Sequence, residues 1–87
     1  SREVIEKELS GYQIINNLLD KFITAYNNKF EEKATNYDSL LLKILPEKHH
    51  LEKDTLYERL LHICHFISML TDSKALLYNQ IVSSNNS

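Results

Sequence analysis

The strongest constraint on this chain is an apolar repeat of helical period that fills its first third. From about residue 2 to residue 28, apolar side chains recur at intervals of three and four, the spacing of one face of an α-helix. The main stripe consists of Ile5, Leu9, Tyr12, Ile15, Leu19, Phe22 and Tyr26, and it is widened by Val4, Ile14, Leu18 and Ile23. A stripe this wide predicts a long helix that contacts more than one neighbour.

Residues that form turns are scarce in the rest of the chain. One Gly and one Pro among 87 residues predict few connections and long elements, and therefore an all-α fold. We expect about four helices, at residues 2–28, 38–45, 55–70 and 72–82. Together they would form a single helical domain over residues 1–87, or a piece of a larger one, because a chain this short buries only a modest core.

Local signals mark the ends of the middle helices. Asp38 or Ser39 is expected to cap the second helix, and Pro46 to end it, because the residue before a proline is biased away from α. The third helix is expected to begin at position 54 or 55, where Thr55 and Glu58 match a capping box. The predicted core positions of the last two helices are Leu56, Leu60, Ile63, Ile67, Leu70, Ala75, Leu76, Tyr78 and Ile81.

Two features admit more than one interpretation. Gly11 interrupts the first helix, where it costs about 1 kcal/mol relative to Ala, so it indicates a kink or, as the favoured alternative, a close approach by another backbone. Thr71 and Asp72 lie where the last two helices meet. They are interpreted as the cap of the last helix, and a direct catalytic role for Asp72 is the alternative.

The residue types that carry catalysis or bind metals do not form a known motif. Glu58, His62 and His65 share a helical face, but there is no HExxH motif, and His49 and His50 fall in a charged loop. A structural role is therefore favoured for the histidines, with no metal site and no catalytic residue in this chain.

Charge and cysteine content exclude some classes of protein and favour one compartment. Ten basic and twelve acidic residues, a formal charge of −2, provide no basic face for nucleic acid. Cys64 is interpreted as a buried structural thiol, typical of a reducing compartment. No apolar run approaches the roughly 18 residues that cross a bilayer, so a cytoplasmic protein without a membrane partner is expected.

Three stretches, in chain order, carry a resemblance to a known family: "REVIEKELSGYQIINNLLDKF", "LLLKILPEKH" and "YERLLHICHFISMLTDSKAL". They resemble the C-terminal region of the HD-domain deoxynucleoside triphosphate triphosphohydrolases, the dGTPase family. The structural motif positions that follow from this resemblance are Gly11, Tyr12, Pro46, Tyr57, Thr71 and Asp72. The chain departs from the family pattern at His65, Met69 and Lys74.

The resemblance implies a function for the whole protein. In that family an H…HD…D set holds a divalent metal, Mg²⁺ or Mn²⁺, which activates water for attack on the α-phosphate and so releases deoxynucleoside and tripolyphosphate. This chain has no His-Asp dipeptide, so it would be inactive alone and would support the HD core and oligomer contacts of a hydrolase acting on dGTP. Its partners would be the remainder of the HD domain and the other subunits of a homo-oligomer.

One residue of the first motif is a candidate for binding the substrate. Arg2 would place a cation near the triphosphate, although a solvated arginine at the start of a helix is the favoured interpretation. The alternative function for the whole chain is a stand-alone helical protein-interaction module whose apolar stripes are partly exposed for a partner helix.

Overall fold

The computed structural model describes residues 1–46 and 55–84, which form four α-helices and, within these ranges, no β-strand. The helices are α1 (Arg2–Phe30), α2 (Asn36–Leu42), α3 (Leu56–Ser68) and α4 (Asp72–Ser84). The predicted all-α fold with about four helices is confirmed. The predicted charged loop, including His49 and His50, lies outside the described residues.

Helix α1 is the centre of the packing. Each of the other three helices packs against α1, whereas none of them packs extensively on another. Phe22 of α1 is fully buried and meets Phe66 of α3 in an edge-to-face arrangement, with ring centroids 5.6 Å apart. The buried core consists of Leu18, Phe22, Ala25, Tyr26, Leu41, Leu42, Leu45, Ile63, Phe66, Ile67, Ala75 and Val82.

Polar contacts fix the position of α4. The Asn17 side-chain amide donates to Asn79 Oδ1 at 2.6 Å and to Ser83 Oγ at 3.0 Å. The Tyr37 hydroxyl of α2 donates to the Val82 carbonyl at 3.0 Å. Burial, followed by the nearby charge of Asp38, raises the pKa of Tyr37 above its ordinary value, so this hydroxyl stays protonated to higher pH than an exposed tyrosine would. Each of these hydrogen bonds needs one particular partner, so they fix the position of α4 against α1 and α2 more specifically than apolar packing alone would.

A cation–π contact joins α3 to the end of α1. The Arg59 guanidinium lies 4.1 Å from the centre of the Phe30 ring. Its Nη2 also donates to Asn27 Oδ1 at 3.2 Å. The long side chain thereby covers apolar surface while its charge keeps polar contacts.

The predicted bounds of the second helix were wrong at both ends. Helix α2 begins at Asn36, two residues earlier than expected, and Thr35 is its N-cap. Asp38 acts as the third helical residue of a capping box: its N–H donates to Thr35 Oγ1 and its carboxylate accepts from Thr35 N. Ser39 is not the cap. The regular helix ends at Leu42 rather than 45. The N–H groups of residues 43 to 45 each donate to the carbonyl three residues earlier, which is a tighter turn than the α-helix, and Pro46 follows.

The other helix ends lie within two residues of their predicted positions: α3 ends at Ser68 rather than 70, and α4 ends at Ser84 rather than 82. Helix α3 begins at Leu56 behind Thr55, and the predicted Thr55–Glu58 capping box is confirmed. Helix α1 continues two residues beyond the predicted end, and Glu32 then adopts φ 59°. Lys33 N donates to the Asn28 carbonyl, completing a Schellman motif in which Glu32 takes the position that glycine usually occupies.

Several predicted burials were wrong, and they share one cause. Leu56, Leu76 and Ile81 are exposed although their spacing placed them in the core, and Phe66 and Val82 are buried instead. Cys64, expected to be a buried thiol, is also exposed. Periodicity identifies an apolar face, but the length and position of the neighbouring helices decide which part of that face is covered.

Thr71 provides the cap at the junction between α3 and α4. Its Oγ1 accepts from Lys74 N at 3.2 Å, and its carbonyl accepts from Ala75 N at 2.9 Å. Asp72 is the first helical residue and is exposed. Of the two residues that sequence analysis considered for the cap, Thr71 therefore carries the capping bond, and Asp72 adds only a favourable charge in the first turn.

The two residues at this junction should differ in their effect on stability. We expect Thr71→Ala to lower the free energy of unfolding by about 0.5–2 kcal/mol, because it removes the capping acceptor. Asp72→Ala should cost only about 0.3–1 kcal/mol through the helix dipole. Urea denaturation of both variants measures the difference, and a larger loss for Asp72→Ala would contradict the assignment of the cap to Thr71.

Asp38 should make the fold sensitive to acid. Burial raises the pKa of its carboxyl, but hydrogen bonds from Asn28 and Thr35 outweigh burial and hold that pKa below the ordinary 3.8. The stabilisation that ionised Asp38 gives the fold is therefore fully present above the pKa of this carboxyl in the unfolded chain. It is lost as pH falls through the lower pKa of the folded state.

Asp38→Ala tests this linkage. We expect it to destabilise the chain by about 1–3 kcal/mol near neutral pH, because the amide of Asn28 and the N–H of Thr35 lose an acceptor. The difference in free energy of unfolding between the variant and the unmodified chain should shrink as pH falls from about 5 to about 2. Thermal denaturation across this range measures it, and a difference independent of pH would contradict the role of the carboxylate charge.

Candidate functional site

The first three turns of α1 extend beyond the other helices. Its first residues, 2–10, are all exposed, and full burial begins only at Leu18. A helix of 29 residues is about 44 Å long at 1.5 Å per residue, which is nearly the 46 Å longest dimension of the fold. The apolar face of this extension therefore continues the core, and none of the other three described helices covers it.

A groove of about 750 Å³ lies between this part of α1 and the start of α4. We call it the α1–α4 groove, and it is lined by Val4, Lys7, Glu8, Ser10, Gly11, Tyr12, Ile14, Ile15, Asp72, Ala75 and Leu76. Ile14 and Ile15 are half-buried and Ala75 is buried, so the floor is apolar and joins the core. The groove combines an apolar floor with charged residues from two helices, and it is our candidate site.

Gly11 leaves open space inside the groove. A Cβ atom built on Gly11 would have no heavy atom of a neighbouring segment within 4 Å. The predicted close approach of another backbone is therefore wrong for the helices described here. The helix also continues without a break through this position.

Charged side chains line the groove together with its apolar floor. Glu8 and Asp72 come from different helices, and Lys7 is the basic residue of the lining. A shallower depression beside the first turns of α1 adds Glu3 and Glu6. Across both surfaces the lining holds four carboxylates and one ammonium group, and it is therefore acidic.

The structure brings together some of the residues that the sequence singled out and separates others. Gly11, Tyr12 and Asp72 line the α1–α4 groove, although 60 or more positions separate Asp72 from the other two. Arg2 is exposed on the first turn of α1 and is not part of the groove lining. Pro46 and Tyr57 are exposed and belong to neither α1 nor α4.

The sequence patterns did not predict that Lys7 and Glu8 line the α1–α4 groove. The signal that was available is the width of the apolar stripe of α1, because Val4, Ile14 and Ile15 line the same groove as these charged residues. Sequence alone could not show where along α1 the helix α4 begins, and therefore that the first turns of α1 stay uncovered by α4.

Met69, which departs from the family pattern, is 72% exposed at the end of α3 and does not crowd the helices described here.

A second, smaller groove of about 370 Å³ lies between α2 and α4. Leu40 and Ile81, both exposed, lie along it, and the Tyr37 hydroxyl is engaged with the Val82 carbonyl at its base. Among the residues that the structure describes, none of those lining this groove is charged. It extends the exposed apolar surface of α4 but offers little to select a ligand.

The metal chemistry of the resembling family has no counterpart in the described residues. Within residues 1–46 and 55–84, no group of three or more His, Cys, Asp or Glu side chains is arranged to hold a metal ion. Cys64 and His65 are successive residues of α3, and such neighbours on a helix do not face each other. These residues do not fit the divalent metal that the resemblance implies, so we assign them no catalytic step.

Among the described residues, no helix combines the length and the apolar character required to cross a bilayer.

Comparison of the chain with models of known families, with curated proteins and with solved structures gave no match. The resemblance to the dGTPase family therefore stays a prediction from the three sequence motifs, and the groove has to be interpreted from its own geometry.

The open space at Gly11 predicts a stabilising substitution. We expect Gly11→Ala to raise the free energy of unfolding by about 1 kcal/mol, because alanine favours the helix and its methyl group meets nothing. Ser10→Ala, one residue earlier in the same exposed turn, is the matched control and should gain at most roughly 0.7 kcal/mol. Urea denaturation compares them, and destabilisation by Gly11→Ala would show that the isolated chain already fills this space.

Proposed function

We propose that this chain is the C-terminal helical part of a cytoplasmic, metal-dependent deoxynucleoside triphosphate triphosphohydrolase that acts on dGTP. In this proposal its helices pack against the HD core and against other subunits of a homo-oligomer, and they contribute no catalytic residue. The metal and its ligands belong to the HD core, outside these helices.

One observation carries the packing part of the proposal. The described helices expose a large amount of apolar surface for a fold of this size: twelve large hydrophobic side chains are between 39% and 72% exposed. They are Val4, Ile5, Leu9, Tyr12, Leu40, Leu56, Tyr57, Leu61, Met69, Leu76, Leu77 and Ile81. Several lie next to one another on α1 or on α4, and contiguous apolar patches of this kind mark surfaces that other polypeptide covers.

The nucleotide part of the proposal has separate support. The three motif stretches follow one another in the family's order, and Gly11, Tyr12 and Asp72 from the first and third of them line one groove. A stand-alone interaction module would need the same exposed surface, and it remains the second candidate. The two candidates differ in whether an HD core precedes these helices in the same polypeptide.

Sequencing the gene upstream of the Arg2 codon, followed by an activity assay, tests the proposal. We expect an open frame that encodes an H…HD…D set, and we expect the whole protein to release tripolyphosphate from dGTP with Mg²⁺ or Mn²⁺. Tripolyphosphate is the informative product, because stepwise phosphatases would release orthophosphate or pyrophosphate instead. The control is the same protein with the Asp of its His-Asp pair changed to Ala.

Two results would contradict the proposal. One is an upstream frame without an H…HD…D set. The other is a whole protein that carries the set but releases no tripolyphosphate from any deoxynucleoside triphosphate. Either result would favour the interaction module and direct attention to its partner.

A further inference from the structure

We propose that the α1–α4 groove is a docking site for an amphipathic α-helix whose apolar stripe is flanked by Lys or Arg side chains. The occupant is a helix other than the four described here. This inference goes beyond the nucleotide chemistry proposed above and does not require it, so the two can fail separately.

The shape of the groove favours a helix. The Asn17 amide bonds Asn79 and Ser83 of α4, and the groove lies nearer the start of both helices, where Ile14 and Ile15 of α1 and the buried Ala75 of α4 form its apolar floor. A further helix laid along α1 would extend the same packing over Val4, Ile14 and Ile15. Helices recognised in this way present apolar side chains at intervals of three and four to such a groove.

Gly11 gives the groove a position where such a helix can approach closely. The glycine lies within the lining, and a Cβ placed on it would meet no heavy atom of another described segment within 4 Å. Without a Cβ, the backbone of α1 can accept a bulky side chain or a neighbouring backbone at this point. Tyr12, 68% exposed beside it, would supply an amphipathic aromatic surface of the kind enriched at protein interfaces.

The charge of the lining selects the chemistry of the occupant. Glu8 and Asp72 face the groove from different helices, and neither takes part in an ion pair within the described part of the chain. Glu3 and Glu6 add negative charge beside the mouth, where Lys7 is the basic residue of the lining and the exposed Arg2 lies on the first turn of α1 outside that lining. A helix with basic flanks would bring opposite charges to these carboxylates, whereas a helix with acidic flanks would add like charges.

The test uses the full 87-residue chain and two synthetic helical peptides of equal length. The peptides share one stripe of Leu and Ala at helical spacing, and their flanking positions carry Lys in one and Glu in the other. We expect the Lys-flanked peptide to bind more tightly, by roughly two- to fivefold for each ion pair it forms. Raising the salt concentration should reduce this preference. Fluorescence anisotropy measures both affinities.

Gly11→Leu tests whether binding takes place in the groove. Leucine favours the helix, so the variant should keep the helical circular dichroism of the chain while its side chain fills the space. We expect its affinity for the Lys-flanked peptide to fall at least about tenfold, as for loss of a central contact. Gln13→Leu adds the same side chain at an exposed position outside the groove lining and should bind normally. The double variant Glu8→Gln, Asp72→Asn should lose the preference for Lys over Glu.

Three results would overturn the inference. The first is equal affinity for the two peptides, or no binding of either. The second is unchanged binding by Gly11→Leu. The third is a concentration-dependent dimer, seen by sedimentation, that Gly11→Leu converts to monomer, because the occupant would then be a second copy of this chain.

Discussion

Burial of the α1 face centred on Leu18 and Phe22 is the interaction on which the rest of the structure depends. Both side chains are fully buried, and full burial of such a side chain contributes roughly 1.5–3 kcal/mol. Helices α2, α3 and α4 pack on α1 and only weakly on one another. Helix α1 is therefore the one element that all three outer helices share.

The candidate site is a consequence of the same arrangement. Helix α1 is longer than the helices that cover it, so its apolar face continues past the end of the bundle. The Asn17 cluster fixes how far along α1 the helix α4 lies, and this register places Asp72 and Leu76 in the lining of the same groove as Gly11. A groove with an apolar floor and carboxylates on two sides results from the mismatch in length.

Sequence patterns predicted most reliably what is decided within one or two helical turns. The Thr55–Glu58 capping box and the helical content were predicted correctly, because they depend on residues three or four positions apart. The α2 cap was placed wrongly because Asp38 suits both an N-cap and the third helical position, and only the conformation of Thr35 decides between them. The end of α1 was placed two residues early because Glu32 occupies a position that glycine usually marks.

The sequence by itself determined an all-α chain, the approximate extent of four helices and the presence of apolar stripes wider than one partner requires. Only the tertiary structure decided that Phe66 and Val82 are buried while Leu76, Ile81 and Cys64 are exposed. It also decided that Gly11 and Asp72 line one groove. The physical reason is that periodicity is a property of one helix, whereas burial depends on where neighbouring helices begin, end and cross it.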